Sequence, residues 1–309
     1  MKKIYTIAFA LFAFVSMQAQ TVLYSNTFES GVGDATIVGN GAIEATGNSK
    51  YGNVFHNAAG GQAIRTNYLL LPNTIFANLQ TSGIKEVTIA FWVNKGTAVD
   101  YYWTPVFSAY GAAPLSTGNT WPMMVLQSRL VAQVNCAGWT DLLDADNVNA
   151  LNTASTTWID DAAWHYYTAT FTETSVKVYV DGVIKNAWNC NGTDGHTVNG
   201  LFSNGSLLTY ICLGGNQAWN WGDPDPAYLF DDVTIYSGAL TQTQIQTNIT
   251  AKITTDINSV ENSIQKQEFF TLNGIYMNTD FNKLAPGMYI NKTTYQNGEV
   301  RSTKFTKTK

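Results

Sequence analysis

Charge is scarce in this chain, and glutamate is scarcer still. Only 13% of its 309 residues are charged, and the glutamates stand at 29, 44, 86, 173, 261, 268 and 299. No two sit at a spacing that would put a carboxylate pair across one glycosidic bond from a single strand. Aspartate neighbours such as Asp141/Asp144 and Asp160/Asp161 remain, but adjacent acids are not two carboxylates facing one bond. Gly-x-Ser-x-Gly is missing as well, which removes the common hydrolase nucleophile turn. Cysteine and histidine number three each. Neither forms a Cys-x-x-Cys or other zinc spacing, and only His56, His165 and His196 could add imidazoles. Beyond the first residues no run reaches the ~20 apolar positions that a membrane helix needs. No repeat of fixed period and no long amphipathic helix is visible.

What is present begins with an export signal. Lys2 and Lys3 precede an apolar stretch from Ile4 to Val15, and Ser16-Met-Gln-Ala19 offers a cleavage site before Gln20. No cysteine follows that site, so a lipid anchor is not expected. Residues 1–19 therefore read as a signal peptide, and no transmembrane segment is expected after its removal. The chain is placed outside the cell or on its outer surface. From Gln20 to Gln265 there are 8 basic and 19 acidic residues, a net −11, whereas Lys266 to Lys309 carries +4. Such a break marks two modules. An acidic main body also excludes nucleic acid as a partner, since its binders need a basic footprint.

Strand patterns dominate the main body. Glu86-Val-Thr-Ile-Ala-Phe-Trp-Val93 alternates, with Val87, Ile89, Phe91 and Val93 on one face. Trp164-His-Tyr-Tyr-Thr-Ala-Thr-Phe171 and Ser175-Val-Lys-Val-Tyr-Val180 follow, and Asp181-Gly182 signals a tight hairpin. Leu229-Phe-Asp231-Asp232-Val-Thr-Ile-Tyr236 then leads through a small-residue turn to Leu240 and Ile245, placed to cap a sheet. By alternation Asp231 shares a face with Val233 and Ile235. A carboxylate on an apolar face must be paired, hydrogen-bonded or metal-bound. Cys136 and Cys190 could form a disulfide, and Cys212, in Leu208-Thr-Tyr-Ile-Cys-Leu213, reads as a buried thiol.

In this order the motifs resemble laminin-G-like, concanavalin A-like domains over residues 20–250. The resemblance implies an all-β, two-sheet antiparallel jelly-roll sandwich. Residues 251–266 read as a polar linker. The remainder, 267–309, includes Leu284-Ala-Pro-Gly-Met-Tyr-Ile290 and a hairpin at Asn297-Gly298. It resembles the C-terminal sorting domain of the type IX secretion system of Bacteroidetes. That likeness implies a small β appendage whose partner is the secretion machinery.

Two sites are expected. In related jelly rolls an acid on the opening strand, backbone carbonyls and the first aspartate of the closing strand hold a structural Ca2+. The corresponding residues are Glu29, in Thr27-Phe-Glu-Ser-Gly31, and Asp231. Oxygen donors from separate segments suit that ion. The alternative is that Asp231 accepts backbone hydrogen bonds and Glu29 is solvated. The acidic run at Asp141, Asp144 and Asp146 lacks the Gly and Glu of an EF-hand loop and reads as solvated. The second site is aromatic. Trp103, Trp121, Trp139, Trp219, Trp221 and Asp223 lie in connecting segments, where rings can stack on a glycan and polar neighbours can bind its hydroxyls. Trp92 and Trp164 occupy strand positions and read as core. No catalytic residue is assigned. The expected function is a secreted or surface carbohydrate-binding or adhesion module without catalysis. The alternatives are a polysaccharide-cleaving enzyme and a protein-binding structural module, since one fold hosts all three.

Overall fold

Alternation along β6 (Glu86–Asn94) sets the architecture. Val87, Ile89, Phe91 and Val93 turn into one apolar layer, while Ala90 and Trp92 turn to the opposite side. The computed structural model describes residues 20–58, 66–79, 81–98, 104–111, 123–128, 130, 132–135, 141–143, 161–190, 201–202, 207–215, 225–261, 264–295 and 300–308.

One sheet runs β13 (Val183–Asn189), β12 (Ser175–Val180), β11 (His165–Thr172), β6, β15 (Leu229–Tyr236), β4 (Asn53–His56) and β3 (Ala42–Ala45). On the edge of β15 away from β6, β4 pairs first and β1 (Val22–Asn26) follows. The second sheet runs β10 (Asp141–Leu143), β9 (Ala132–Asn135), β8 (Met123–Gln127), β7 (Pro105–Tyr110), β14 (Tyr210–Leu213), β5 (Tyr68–Leu71) and β2 (Thr36–Val38). Among the described residues every pairing in these sheets is antiparallel. The main core lies between them, with Phe91 stacked on Tyr167 at 5.0 Å and Phe107, Leu126 and Ile211 facing from the second sheet. Each such side chain contributes on the order of 1.5–3 kcal/mol by leaving water. The fold is the expected jelly-roll sandwich.

The hairpin at Asp181-Gly182 is also as expected. Val180 pairs with Val183, and both turn residues have positive φ, 52° and 72°. That is the combination whose twist matches a two-residue hairpin.

Two features differ from the expectation. First, the closing strand β15 carries a bulge between Asp231 and Thr234, with Asp232 at φ 46°. Phe230 and Val233 both enter the core across it, so Asp231 does not share a face with Val233 and Ile235. It pairs with Trp92, on the outer side. An inserted residue reverses the alternation, which a sequence pattern of period two does not reveal. Second, α1 (Gln242–Glu261) is a helix of 20 residues. It runs through the expected end of the jelly roll at 250 and into the stretch read as a linker. Its many threonines and glutamines hid it, but its start is well specified. The Thr241 hydroxyl accepts from the Gln244 N–H, and the Gln244 side chain accepts from the Thr241 N–H. This reciprocal pair satisfies two backbone donors at the helix start.

Ile245 and Ile249 of α1, one turn apart, cover the outer face of the first sheet. They form a second apolar layer with Tyr51, Trp92, Tyr166, Tyr179 and Leu240. Leu240 and Ile245 thus cap a sheet as expected, and Trp92 and Trp164 belong to this layer. A third sheet, β17 (Tyr276–Asn278), β16 (Ile264–Thr271), β18 (Gly287–Tyr295) and β19 (Val300–Lys307), forms the small C-terminal β unit. Phe269, Leu284, Tyr289 and Phe305 make its core.

Candidate functional site

The bulge delivers Asp231 and Asp232 to the seam between β15 and α1. The Asp231 side chain is 0% exposed and has both oxygens engaged. Its Oδ1 accepts from the Asp232 N–H at 2.8 Å, and its Oδ2 accepts from Lys252 Nζ at 2.8 Å. Lys252 Nζ also lies 2.8 Å from Asp232 Oδ2. Burial, and then the Asp232 charge, push the Asp231 carboxyl up to about 7. Burial pulls Lys252 down, but its bonds to the two aspartates outweigh this and hold it above its ordinary value. The Lys252 ammonium is 5.6 Å from the Tyr51 ring, and Lys50 Nζ is 4.7 Å from that of Trp92. Beside this knot opens a cleft of about 500 Å³ lined by Thr27, Glu29, Lys50, Trp92, Asp232 and Lys252 among others.

Glu29 and Asp231 accept from different donors. Glu29 Oε2 accepts from the Asn53 N–H at 3.3 Å, and its carboxylate packs against Gly52. Asp231 meanwhile receives one bond from the chain on each oxygen. Calcium takes six to eight oxygens, and among the described residues no group of three His, Cys, Asp or Glu converges. With the Lys252 ammonium 2.8 Å from both Asp231 and Asp232, the side chains at this seam suit a lysine cation better than a divalent ion.

Trp103, Trp121, Trp139, Trp219, Trp221 and Asp223 all lie outside the described residues, as does Cys136. The strand ends that bracket them are described, and they sort the set in two. Asn94 at the end of β6 pairs with Leu229 at the start of β15. The Gly214 N–H donates to Val106 O, joining the end of β14 to the start of β7. The connections holding Trp103 and holding Trp219, Trp221 and Asp223 therefore leave from one end of the sandwich. Tyr110 pairs with Met123, and Met123 with Asn135, at the other end, from which the segments with Trp121 and Trp139 depart.

At the first end the loop stems are tied together. Asn57, 0% exposed, donates through Nδ2 to the carbonyls of Gly214, Pro226 (2.9 Å) and Asn67 (3.1 Å). Asp225, also buried, accepts from the N–H groups of Thr66 and Asn67, each at 2.9 Å. These residues knit the stem of the 214–228 connection to that of 57–67. Nothing in the local sequence marked Asn57 or Asp225. Lys252 did leave a signal, being the only basic residue between Lys185 and Lys266 and standing three residues after Ile249.

Other titratable groups are engaged elsewhere. Glu44 meets His56 at 2.9 Å, Glu173 meets Lys85 at 2.7 Å, and Glu86 accepts from the Ala239 N–H. Cys212 is buried in a cluster with Tyr68, Tyr110 and Val125, and burial pushes its thiol up to about 12, as an inert apolar side chain requires. His165 begins β11, with Nδ1 2.6 Å from Asp181 and Nε2 2.9 Å from Asp161. The Asp181 bond, against partial burial, raises its pKa above 6.5. A raised histidine stabilises fully below its unfolded pKa, and that contribution fades as pH rises through the folded value. His165→Asn should thus cost about 1 kcal/mol at about pH 5.5 and less at about pH 9. Urea unfolding at both pH values checks this, and an equal cost at both would contradict it.

A family model described as the concanavalin A-like lectin/glucanases superfamily matches residues 61–246. The chain belongs to that superfamily. The match spans most strands of both sheets and the first part of α1. No curated protein matches the chain. Among solved structures it is similar to domain 4 of AbnA, an extracellular arabinanase from Geobacillus stearothermophilus in complex with arabinotriose. Identity is 18%, coverage is 74% of this chain and 97% of that one, and the TM-score is 0.44. It is similar to a botulinum neurotoxin type C structure at 12% identity, covering 87% and 67% of the respective chains, with TM-score 0.43. It also resembles Trypanosoma rangeli sialidase in complex with the inhibitor DANA, at 13% identity and TM-score 0.39. That match covers 69% of this chain and 28% of the sialidase. At these scores none of the three bears on ligand or activity.

Proposed function

We propose that the chain is a secreted or surface-displayed carbohydrate-binding or adhesion module that works without catalysis. The observation that carries this reading is the buried Asn57 and Asp225 network. It braces the stem of the segment bearing Trp219, Trp221 and Asp223 at the end from which the Trp103 segment also leaves. Rigid stems reduce the ordering cost of presenting rings to a sugar. Membership of the lectin/glucanase superfamily supports the same reading, and the paired state of Glu44, Glu86 and Glu173 leaves them poorly suited to act as a catalytic pair.

The test is a glycan array on the chain from Gln20 onward, run with calcium and with chelator, with product analysis on any polysaccharide bound. Binding without cleavage is expected. Cleavage would make the chain an enzyme, and silence across a broad array would turn the search to a protein partner. The chelator arm tests separately whether ligand binding needs calcium.

The signal at 1–19 and the C-terminal β unit support export, with residues 267–309 serving as a type IX sorting tail. Fused to a periplasmic reporter in a bacterium with that machinery, the tail should bring the reporter outside the cell. Retention in the periplasm would refute its role.

A further inference from the structure

A pair of aspartates in a closing strand, one of them wholly buried, needs a counter-charge. The chain provides one from a different element. Lys252 lies on the face of α1 that carries Ile245 and Ile249, so the apolar layer that docks the helix also sets the lysine stem. Its side chain is 16% exposed, and two of its three N–H donors are taken up at 2.8 Å by Asp231 and Asp232. We propose that Lys252 is the resident cation of the closing strand. Its ammonium fills the electrostatic role of a bound metal, so the domain joins β15 to α1 without calcium at Glu29 and Asp231. The helix is then an integral part of the sandwich.

Three features carry this. The bulge turns Asp231 outward, toward α1. Both Asp231 oxygens are already bonded within the chain. The Glu29 carboxylate accepts from the Asn53 N–H. The idea is independent of whether a glycan binds, because it concerns only how the strand is neutralised.

The test is thermal unfolding of the full mature chain with excess calcium, with excess chelator, and as the Lys252→Met variant. The wild-type midpoint should be the same in both media, while Lys252→Met should fall by about 10 °C. A wild-type midpoint that drops with chelator, or a variant as stable as the wild type, would overturn the proposal. If Lys252→Met does not fold, the triple variant D231N/D232N/K252M separates charge from packing. Recovery of a folded chain supports the ionic role, and a triple variant no better than Lys252→Met contradicts it.

Discussion

Lys252→Met is expected to lower the free energy of unfolding by about 3–5 kcal/mol, the cost of leaving a buried charge without its partner. Methionine keeps most of the stem volume, so little of that loss comes from packing. What goes is the ammonium between two carboxylates, one of them at 0% exposure. Asp231 already has its carboxyl pushed up to about 7 by burial and by Asp232 with the lysine in place. Without the lysine, keeping it ionised becomes costlier. Urea unfolding reads the loss as a lower midpoint at unchanged slope. A chain that stops at residue 250 lacks Lys252 and should lose at least as much. A variant within 1 kcal/mol of the wild type, far below the usual cost of breaking a buried pair, would show that the knot is not a stabilising element.

Asn57→Leu should cost about 3 kcal/mol, because it strands buried carbonyls on three segments at once. Two Nδ2 hydrogens serve Gly214, Pro226 and Asn67, so not every lost contact carries a full bond's worth. Leucine has nearly the same shape, so the loss is that of the donor, offset in part by removing the Asn57 Oδ1, which is buried without a hydrogen-bond partner. Glycan affinity should drop as well at temperatures where the variant is fully folded, because the stem beneath Trp219 and Trp221 loses its brace. Calorimetric unfolding and a glycan titration read the two effects separately. An unfolding midpoint equal to that of the wild type would remove Asn57 from the account.

Much of the first sheet was legible. β6, β11 and the hairpin at Asp181-Gly182 alternate or turn as their residues dictate, and pairing them gives the middle and one edge of that sheet. The bulge at Asp232 was not legible, because an aspartate at positive φ leaves no glycine to mark it. That single inserted residue moved Asp231 from the expected inner face to the helix side. In α1 the polar surface hid the helix, although Ile245, Ile249 and the Thr241-x-x-Gln244 cap were there to be read. The aromatic set could be named from composition but not arranged. Only strand pairing places the Trp103 and Trp219 segments at one end and those of Trp121 and Trp139 at the other. Asn57 and Asp225 act across more than 150 residues of sequence, a separation that no local pattern spans.

β7, which joins the Trp103 segment to the Trp121 segment, has six residues, so the two ends stand roughly 20 Å apart, too far for one short oligosaccharide to use both stems. The most direct measurement is therefore calorimetric titration of the best array ligand into the mature chain, a Trp219→Ala/Trp221→Ala variant and a Trp121→Ala/Trp139→Ala variant. The account predicts that binding falls at least tenfold, about 1.4 kcal/mol, in the first variant and is unchanged in the second. Equal affinity in all three proteins would contradict a carbohydrate site at the braced end of the sandwich.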